Sequence, residues 1–378
     1  MNKLILISLS IFLLQGCFLK ENPISSSMKD DSFLDEILKN KENHELQIIY
    51  TEIKRDKEGE PDFIDFEFQV DENNYFYPAS SIKLPIVILT LDKINELRSE
   101  GINVSLKSKI TLSPLDQEMS LTQKDSITSF QNLIADIFLV SDNSASNVLI
   151  DFVGYNHFNT KMNQAGFNKT YLNHKFSPDP YYTIDWEIKT MLNDRISSNG
   201  DRDKVTADDN TLGLKKGEKK FKDGIVEFGS LDFSQKNRSS IMDMHNIIKR
   251  IIFPSKFDDD NAFNLNVEDY DFLRYWMSRF TYEDLGNKFT TDKKYFESYN
   301  KFFIHGVDTV VTNKNIRVYN KIGQAYGTSV DNAYIRNYQD DVEFFLTATI
   351  YTNKNNIIND NVYEYDETAI PFLAKLSQ

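Results

Sequence analysis

A serine hydroxyl attacks a carbonyl only when a base removes its proton, and an amine can be that base only when burial or a second cation has lowered its pKa. Ser80 and Lys83, in the run Pro78-Ala79-Ser80-Ser81-Ile82-Lys83, meet the first requirement by spacing. Three positions apart in a helix, their side chains share one face. A hydroxyl at a helix N-terminus also has backbone N–H groups and the positive end of the dipole beside it, ready for an oxyanion. The spacing alone is weak evidence: chance gives a Ser-x-x-Lys about twice in a chain this long at ordinary residue frequencies. It occurs here at Ser26, Ser80 and Ser298. Ser26 lies in a polar stretch and Ser298 in a turn-like one. Only Ser80 opens a run, SIKLPIVILTLDKINEL, that is apolar on nearly every side and belongs in a core. The plain alternative for Ser80 is an ordinary helix cap.

Two further groups carry the same chemistry. Ser141-Asp142-Asn143 falls between two expected helices, and Lys321-Ile322-Gly323 closes an expected strand just before another. Each has an ordinary structural reading, the first as a loop capping the next helix and the second as a strand ending in a glycine turn. Taken in order, the three groups approximate the Ser-x-x-Lys, Ser-Asp-Asn, Lys-Thr-Gly set of acyl-transferring serine enzymes.

The elements that must position these residues can be read from periodicity. Residues 32–40 suit a short helix capped by Ser32. Residues 46–51 and 63–70 suit two strands joined by the turn-rich KRDKEGEPD, a β-hairpin with one face covered. Helical patterns follow at 81–97, 126–140 and 144–154, the last ending on Gly154 as a C-cap. Pro85 falls near the first turn of the core helix, where its missing N–H costs little. Residues 177–236 are charged and turn-rich and read as an irregular insertion with exposed loops. Helices return at 239–252 and 267–279. Strands at 316–322, 332–336 and 342–351 and a closing helix at 364–376 complete the chain. Strands at both ends with helices between them predict an α+β fold in which the first and last strands share one antiparallel sheet. There is no internal repeat.

Composition sets outer bounds. The 378 residues, 40% hydrophobic, suffice for a sizeable core. A net charge of −14 sets nucleic acid aside as a partner. His44, His157, His174, His245 and His305 show no metal-ligand spacing, so neither metal nor cofactor is expected. The lone cysteine excludes an intramolecular disulfide, and its position is informative. Asn2 and Lys3 precede an apolar run at 4–14, shorter than the ~20 residues a spanning helix needs, and Leu14-Gln15-Gly16-Cys17 follows. This resembles a bacterial lipoprotein signal over 1–17, with lipid attached to Cys17 and a flexible tether over 18–31. The domain proper then runs from 32 to 378, exported and anchored at the periplasmic or cell-surface face of a bacterial membrane.

The chain resembles the class A β-lactamase and penicillin-binding protein superfamily over roughly residues 32–378. YFYPASSIK is similar to that family's approach to its nucleophile, and VSDNSASNVLIDFVG to its Ser-Asp-Asn loop and following helix. RVYNKIGQAYGTSVDNAYI and DVEFFLTATIYTN are similar to its last strands. The resemblance implies a metal-free mechanism. Ser80 attacks an amide or lactam carbonyl, and Lys83 is the general base. Ser141 relays a proton to the leaving nitrogen, and Asn143 binds the acyl side chain. Lys321 supplies charge near Ser141 and the substrate carboxylate, and helps hold Lys83 neutral. The Lys321-Ile322-Gly323 strand lines the substrate site, with Gly323 and Gln324 as binding positions. The N–H groups of Ser80 and Gln324 form the oxyanion hole. The implied substrate is a peptidoglycan peptide of the D-alanyl type or a β-lactam.

Two departures matter. The stretch NKTYLNHKFSPDPYYTID, where class A β-lactamases carry a water-activating glutamate, has none. Asp179 and Asp185 are the available carboxylates, and Glu187 lies further on. Ile322 replaces the family's threonine or serine, removing a hydrogen bond to a charged group worth ~1.5–3 kcal/mol. Tyr326 and Arg317 are candidates to compensate. A further departure is length: Ser141 and Lys321 are 180 positions apart, more than is usual in the family, the excess falling mainly in the irregular segment. The expectation is a DD-peptidase-like serine hydrolase, acylated at Ser80 by a cell-wall peptide or related amide, that turns β-lactams over slowly. The alternatives are a true class A-like β-lactamase, a hydrolase of another amide as in the serine-dependent glutaminases, and a non-catalytic binding protein.

Overall fold

The computed structural model describes residues 22–114, 126–177, 182–186, 205–257, 263–283, 286 and 288–378. Cys17, Asp179 and Glu187 lie outside these residues, as does the side chain of Asp185. Strands β1 (Gln47–Arg55) and β2 (Pro61–Phe68) form the expected hairpin, with Ile48 opposite Phe68. The other edge of β1 pairs with β13 (Val342–Tyr351), Gln47 opposite Thr349. Beyond β13 come β12 (Thr328–Asn337) and then β10 (Ile316–Asn320), while β11 (Gly323–Ala325) also pairs with β12. The fold is therefore α+β, its central antiparallel sheet built from both ends of the chain.

Side chains alternating across this sheet feed two cores. On β13, Phe345 faces the core of helices α3 (Lys83–Ser99), α4 (Phe130–Val140), α5 (Asn143–Val153), α6 (Tyr155–Gln164), α7 (Ile241–Ile252) and α8 (Val267–Met277). Leu346 and Ala348 face a second core, closed by α1 (Pro23–Asp30), α2 (Ser32–Lys39) and α9 (Ile370–Leu376). Helix α3 runs through the first core with Ile86, Val87, Ile88 and Leu89 all buried. Four consecutive buried residues point to all sides of a helix, as the apolar run predicts.

The structure corrects the sequence reading in three places. Residues 18–31 are expected as a flexible tether, yet Pro23–Asp30 form a helix. Asn22 Oδ1 accepts the Ile24 N–H, Pro23 occupies the first turn, and Ile24 and Met28, one turn apart, bury against the sheet. Asp31, not Ser32, caps α2, accepting the N–H groups of Phe33 and Leu34. Residues 126–129 are strand β4 (Ser126–Ser129) instead of helix, and α4 starts at Phe130 with Ser129 as its cap. Extended pairing with β3 (Lys109–Pro114) suits β-branched Ile127 and Thr128. Strand β5 (Tyr182–Trp186), which carries Asp185, lies on the other edge of β3.

The irregular segment carries short strands that decorate the rim: β6 (Lys215–Lys216) with β9 (Leu231–Asp232), and β7 (Lys219–Lys222) with β8 (Ile225–Phe228). Strand β14 (Ile357–Ile358) extends the β7–β8 pair to three strands.

Candidate active site

Ser80 lies in a 3-10 turn, Ala79–Ile82, and α3 begins at Lys83. In a 3-10 turn residues three apart eclipse, so the turn aligns Ser80 with Lys83 more closely than the expected α-helical turn would. Ala79 adopts φ 49°, and the Ser81 hydroxyl donates to Pro78 O at 2.6 Å. A left-handed non-glycine residue costs ~1–2 kcal/mol, so the packing around this turn holds a conformation the chain would not otherwise choose.

The Ser-Asp-Asn segment is the junction of two helices. Ser141, with φ 57°, ends α4, while Asp142 Oδ1 accepts the Ala145 N–H and caps α5. Its capping role and its site role thus coexist. The junction turns the Ser141 hydroxyl and the Asn143 amide toward Lys83. The Lys83 amine, fully buried, donates to Ser141 O at 2.5 Å and Asn143 Oδ1 at 2.6 Å, and lies 3.4 Å from Ser141 Oγ. Asn143 Nδ2 in turn donates to Ser177 O at 2.7 Å.

From the far end of the chain, Lys321 Nζ reaches Ser141 Oγ at 2.9 Å and Ile322 O at 3.0 Å. Two buried ammonium groups this close are costly, and both amines are pushed down. Burial and then the Lys321 charge hold Lys83 well below the usual lysine range, with Asp142 opposing. Burial brings Lys321 to about 7, with Asp331 opposing. A neutral lysine has two N–H groups and one lone pair. The two short contacts of Lys83 use both N–H groups, which leaves the lone pair for a hydroxyl proton. The Ser80 carbonyl accepts the Lys83 backbone N–H, while its hydroxyl, on a partly buried residue, makes no hydrogen bond among the described residues.

Gly323 allows the strand to meet the nucleophile turn. A Cβ there would stand 2.4 Å from Pro78 O and 2.8 Å from Ser81 N, so only glycine permits this approach. Beyond it, Gln324 lines the same cleft as Ser80 and Asn143, a space of about 580 Å³. The structure thus brings together Ser80, Lys83, Ser141, Asn143, Lys321, Gly323 and Gln324.

Two residues of the cleft were not singled out by sequence. The first is Phe176. Asn147 clamps its backbone, accepting from Phe176 N and donating to Phe176 O, both at 2.8 Å. The Phe176 ring centroid lies 4.6 Å from Lys83 Nζ. The stretch expected to hold a water-activating carboxylate therefore presents an aromatic ring to Lys83. The second is Lys236, from the irregular segment, whose ammonium lies 6.0 Å from the Tyr326 ring centroid. Among the described residues lining the cleft there is no Asp or Glu, although the chain carries a charge of −14.

The Ile322 side chain packs into the second core with Phe302, Phe303 and Phe372, so it offers the cleft no hydroxyl. Arg317 does not compensate: both its terminal nitrogens donate to Glu283, at 2.8 and 2.9 Å. Tyr326 does line the cleft, edge-on to Tyr77 at 5.1 Å. Away from the cleft, Asp92, Glu96 and His157 stand close enough to share a cation, but the Lys161 ammonium is already 3.1 Å from Asp92.

A model of a β-lactamase enzyme family matches residues 31–378. No curated protein matches the sequence. Among solved structures, a β-lactamase from Xanthomonas campestris is similar at 13% identity and TM-score 0.52, covering 93% of this chain and 95% of that one. A β-lactamase from Sphaerobacter thermophilus is similar at 14% identity and TM-score 0.50, with 93% and 94% covered. A leucine-to-glutamate variant of PBP-A, solved as its acyl-enzyme with penicillin G, is similar at 14% identity and TM-score 0.51, with 92% and 94% covered.

Proposed function

The chain belongs to the β-lactamase enzyme family, and within it we propose a serine acyl-transferase of the penicillin-binding type, in which Ser80 takes an acyl group from a cell-wall peptide of the D-alanyl type or from a β-lactam. The observation that carries this reading is the meeting of the Lys83 and Lys321 amines at the Ser141 hydroxyl.

The steps follow from the contacts. The Lys83 lone pair takes the Ser80 proton as Oγ bonds to the carbonyl carbon. The oxyanion is received by the N–H groups of Ser80 and Gln324. As the carbon–nitrogen bond breaks, Ser141 gives its proton to the leaving nitrogen and recovers one from Lys83. Lys321, donating to Ser141 Oγ, keeps that hydroxyl's own proton free to point at the leaving group. An ester on Ser80 and a free amine result.

Release of the ester needs an activated water. Phe176, where a carboxylate would serve, supports a long-lived acyl-enzyme. The acyl-enzyme of the PBP-A variant with penicillin G, on a similar fold, supports β-lactams as donors. With no hydroxyl at Ile322, recognition of the donor's carboxylate falls to Lys321 and Lys236. The leader ending at Cys17 supports export and lipid anchoring, which would put the cleft beside peptidoglycan.

A fluorescent penicillin tests the reading. The expected result is covalent labelling of the chain, abolished in Ser80→Ala and competed by D-alanyl-D-alanine peptides. Steady turnover of nitrocefin instead of one burst would make the protein a β-lactamase. No labelling by any of several β-lactams would leave a non-catalytic binding protein.

A further inference from the structure

Hairpin β7–β8 projects apolar side chains that no described residue covers. Phe228 is 87% exposed, Ile225 61% and Val226 49%. The register sets Phe221 opposite Val226 and Lys219 opposite Phe228, so Phe221, Val226 and Phe228 share one face, with the Lys219 ammonium 5.3 Å from the Phe228 ring centroid. Residues 215–228 hold five lysines against three acids, in a chain whose net charge is −14. Lys216 is taken by Glu45 and Lys220 faces Glu227 at 3.6 Å. Lys215 and Lys219 flank the apolar face, and Lys222 lies beside the hairpin turn, opposite Ile225.

The hairpin is fixed to the body. Asn359 Nδ2 donates to Phe221 O at 3.1 Å, and β14 pairs with β7. Asn359 also lines the cleft, so the hairpin is the outer side of the cleft wall. Its base lies at the end of the sheet where the chain enters. Lys216 binds Glu45, just before β1, while Asn22 Nδ2 donates to the carbonyl of Glu67, which pairs with Ile49 of β1. Glu45 and Ile49 are ~13 Å apart at strand rise. A lipid on Cys17, five residues before Asn22, would therefore tether the end of the molecule that carries the hairpin.

We propose that this hairpin docks on an anionic lipid surface, its phenylalanines and Val226 entering the interface and its lysines meeting headgroup phosphates. The setting rests on the exported, anchored reading given above. The docking itself does not require the anchor. Its consequence is orientation: the cleft wall of Asn359, Asn361 and Tyr363 is held toward the bilayer.

The test uses residues 22–378, which contain every described element and both cores, co-sedimented with phosphatidylcholine vesicles with and without phosphatidylglycerol. Binding to the anionic vesicles is expected, lowered about tenfold by Phe228→Ser. Lys219→Gln and Lys222→Gln should each lower it about fivefold, on anionic vesicles only. Val267→Ser, at an equally apolar site 70% exposed on α8, should change nothing. No binding by the parent chain overturns the proposal, as does equal binding by Phe228→Ser with an unchanged melting curve. A dimer in sedimentation velocity that Phe228→Ser dissolves would make the occupant a second copy, and also overturns it. Penicillin labelling of the same samples reads the other proposal separately: labelled protein that does not bind vesicles refutes docking alone, and bound protein that is not labelled refutes acylation alone.

Discussion

Replacing Phe176 by glutamate should turn a long-lived acyl-enzyme into a turning-over one. The backbone at 176 is held by two hydrogen bonds to Asn147 that do not involve the ring, so a new side chain leaves from the same point. A carboxylate near the ring's position would stand about as far from Lys83 as the ring centroid does, 4.6 Å. At an effective dielectric of about 20 that attraction is about 3–4 kcal/mol, or about 2–3 pK units upward on Lys83. The price of the new base is thus a partly protonated Lys83, and acylation should need higher pH than in the parent. Deacylation should gain the ~10²–10⁴-fold typical of a positioned general base. Losing a buried phenylalanine costs ~3–5 kcal/mol in the limit of alanine, less for a side chain of glutamate's length, so folding must be checked by a melt. The assay is the decay of a purified Ser80 adduct by intact mass, with Phe176→Gln as the control of equal shape and no charge. Equal adduct lifetimes in the folded Glu and Gln variants would refute the reasoning, and so would a parent enzyme whose adduct already decays within seconds.

Three further outcomes are expected. Gly323→Ala drives a Cβ against Pro78 O, so the strand must withdraw from the nucleophile turn; a loss of ~1–3 kcal/mol in a denaturant melt and ~10²-fold in the acylation rate is expected. Acylation should begin well below the ordinary lysine pKa, as Lys83 loses its proton, and decline as Lys321 loses its own at about 7. In Lys321→Met the alkaline decline should vanish from the pH profile and the acid limb move up, because the neighbouring cation that depresses Lys83 is gone. Lys236→Met should slow acylation by carboxylate-bearing donors about fivefold, in line with ~1 kcal/mol for a partly exposed ion pair, and leave neutral esters unaffected.

The parts of this molecule that sequence reveals are those whose chemistry and spacing coincide. Ser80, Lys83, Ser141, Asn143 and Lys321 are polar residues at the starts or ends of apolar elements, where a polar residue is conspicuous, and their order along the chain carries the rest. The sheet was legible for a similar reason: Phe63 to Val70 and Val342 to Tyr351 show strand patterns bounded by turns. Phe176 was not legible, because a phenylalanine in a loop reads as packing until the Asn147 clamp shows which way it points. Lys236 sits among charged residues and is singled out only when the segment folds back over Tyr326. Helix α1 was hidden by its serines, since the two residues that bury it, Ile24 and Met28, are too few to make a period on their own. At 126–129 the apolar run that follows favours a helix in the sequence, and only the pairing with β3 makes the segment a strand.

The time course of one covalent adduct tests the central claim most directly. Protein mixed with penicillin G should gain the mass of one intact drug molecule, located on the peptide containing Ser80, at a rate that Lys83→Met and Ser141→Ala each lower by orders of magnitude while their melting curves stay parental. An adduct that forms equally well without the Lys83 amine, or on any residue other than Ser80, would contradict the account.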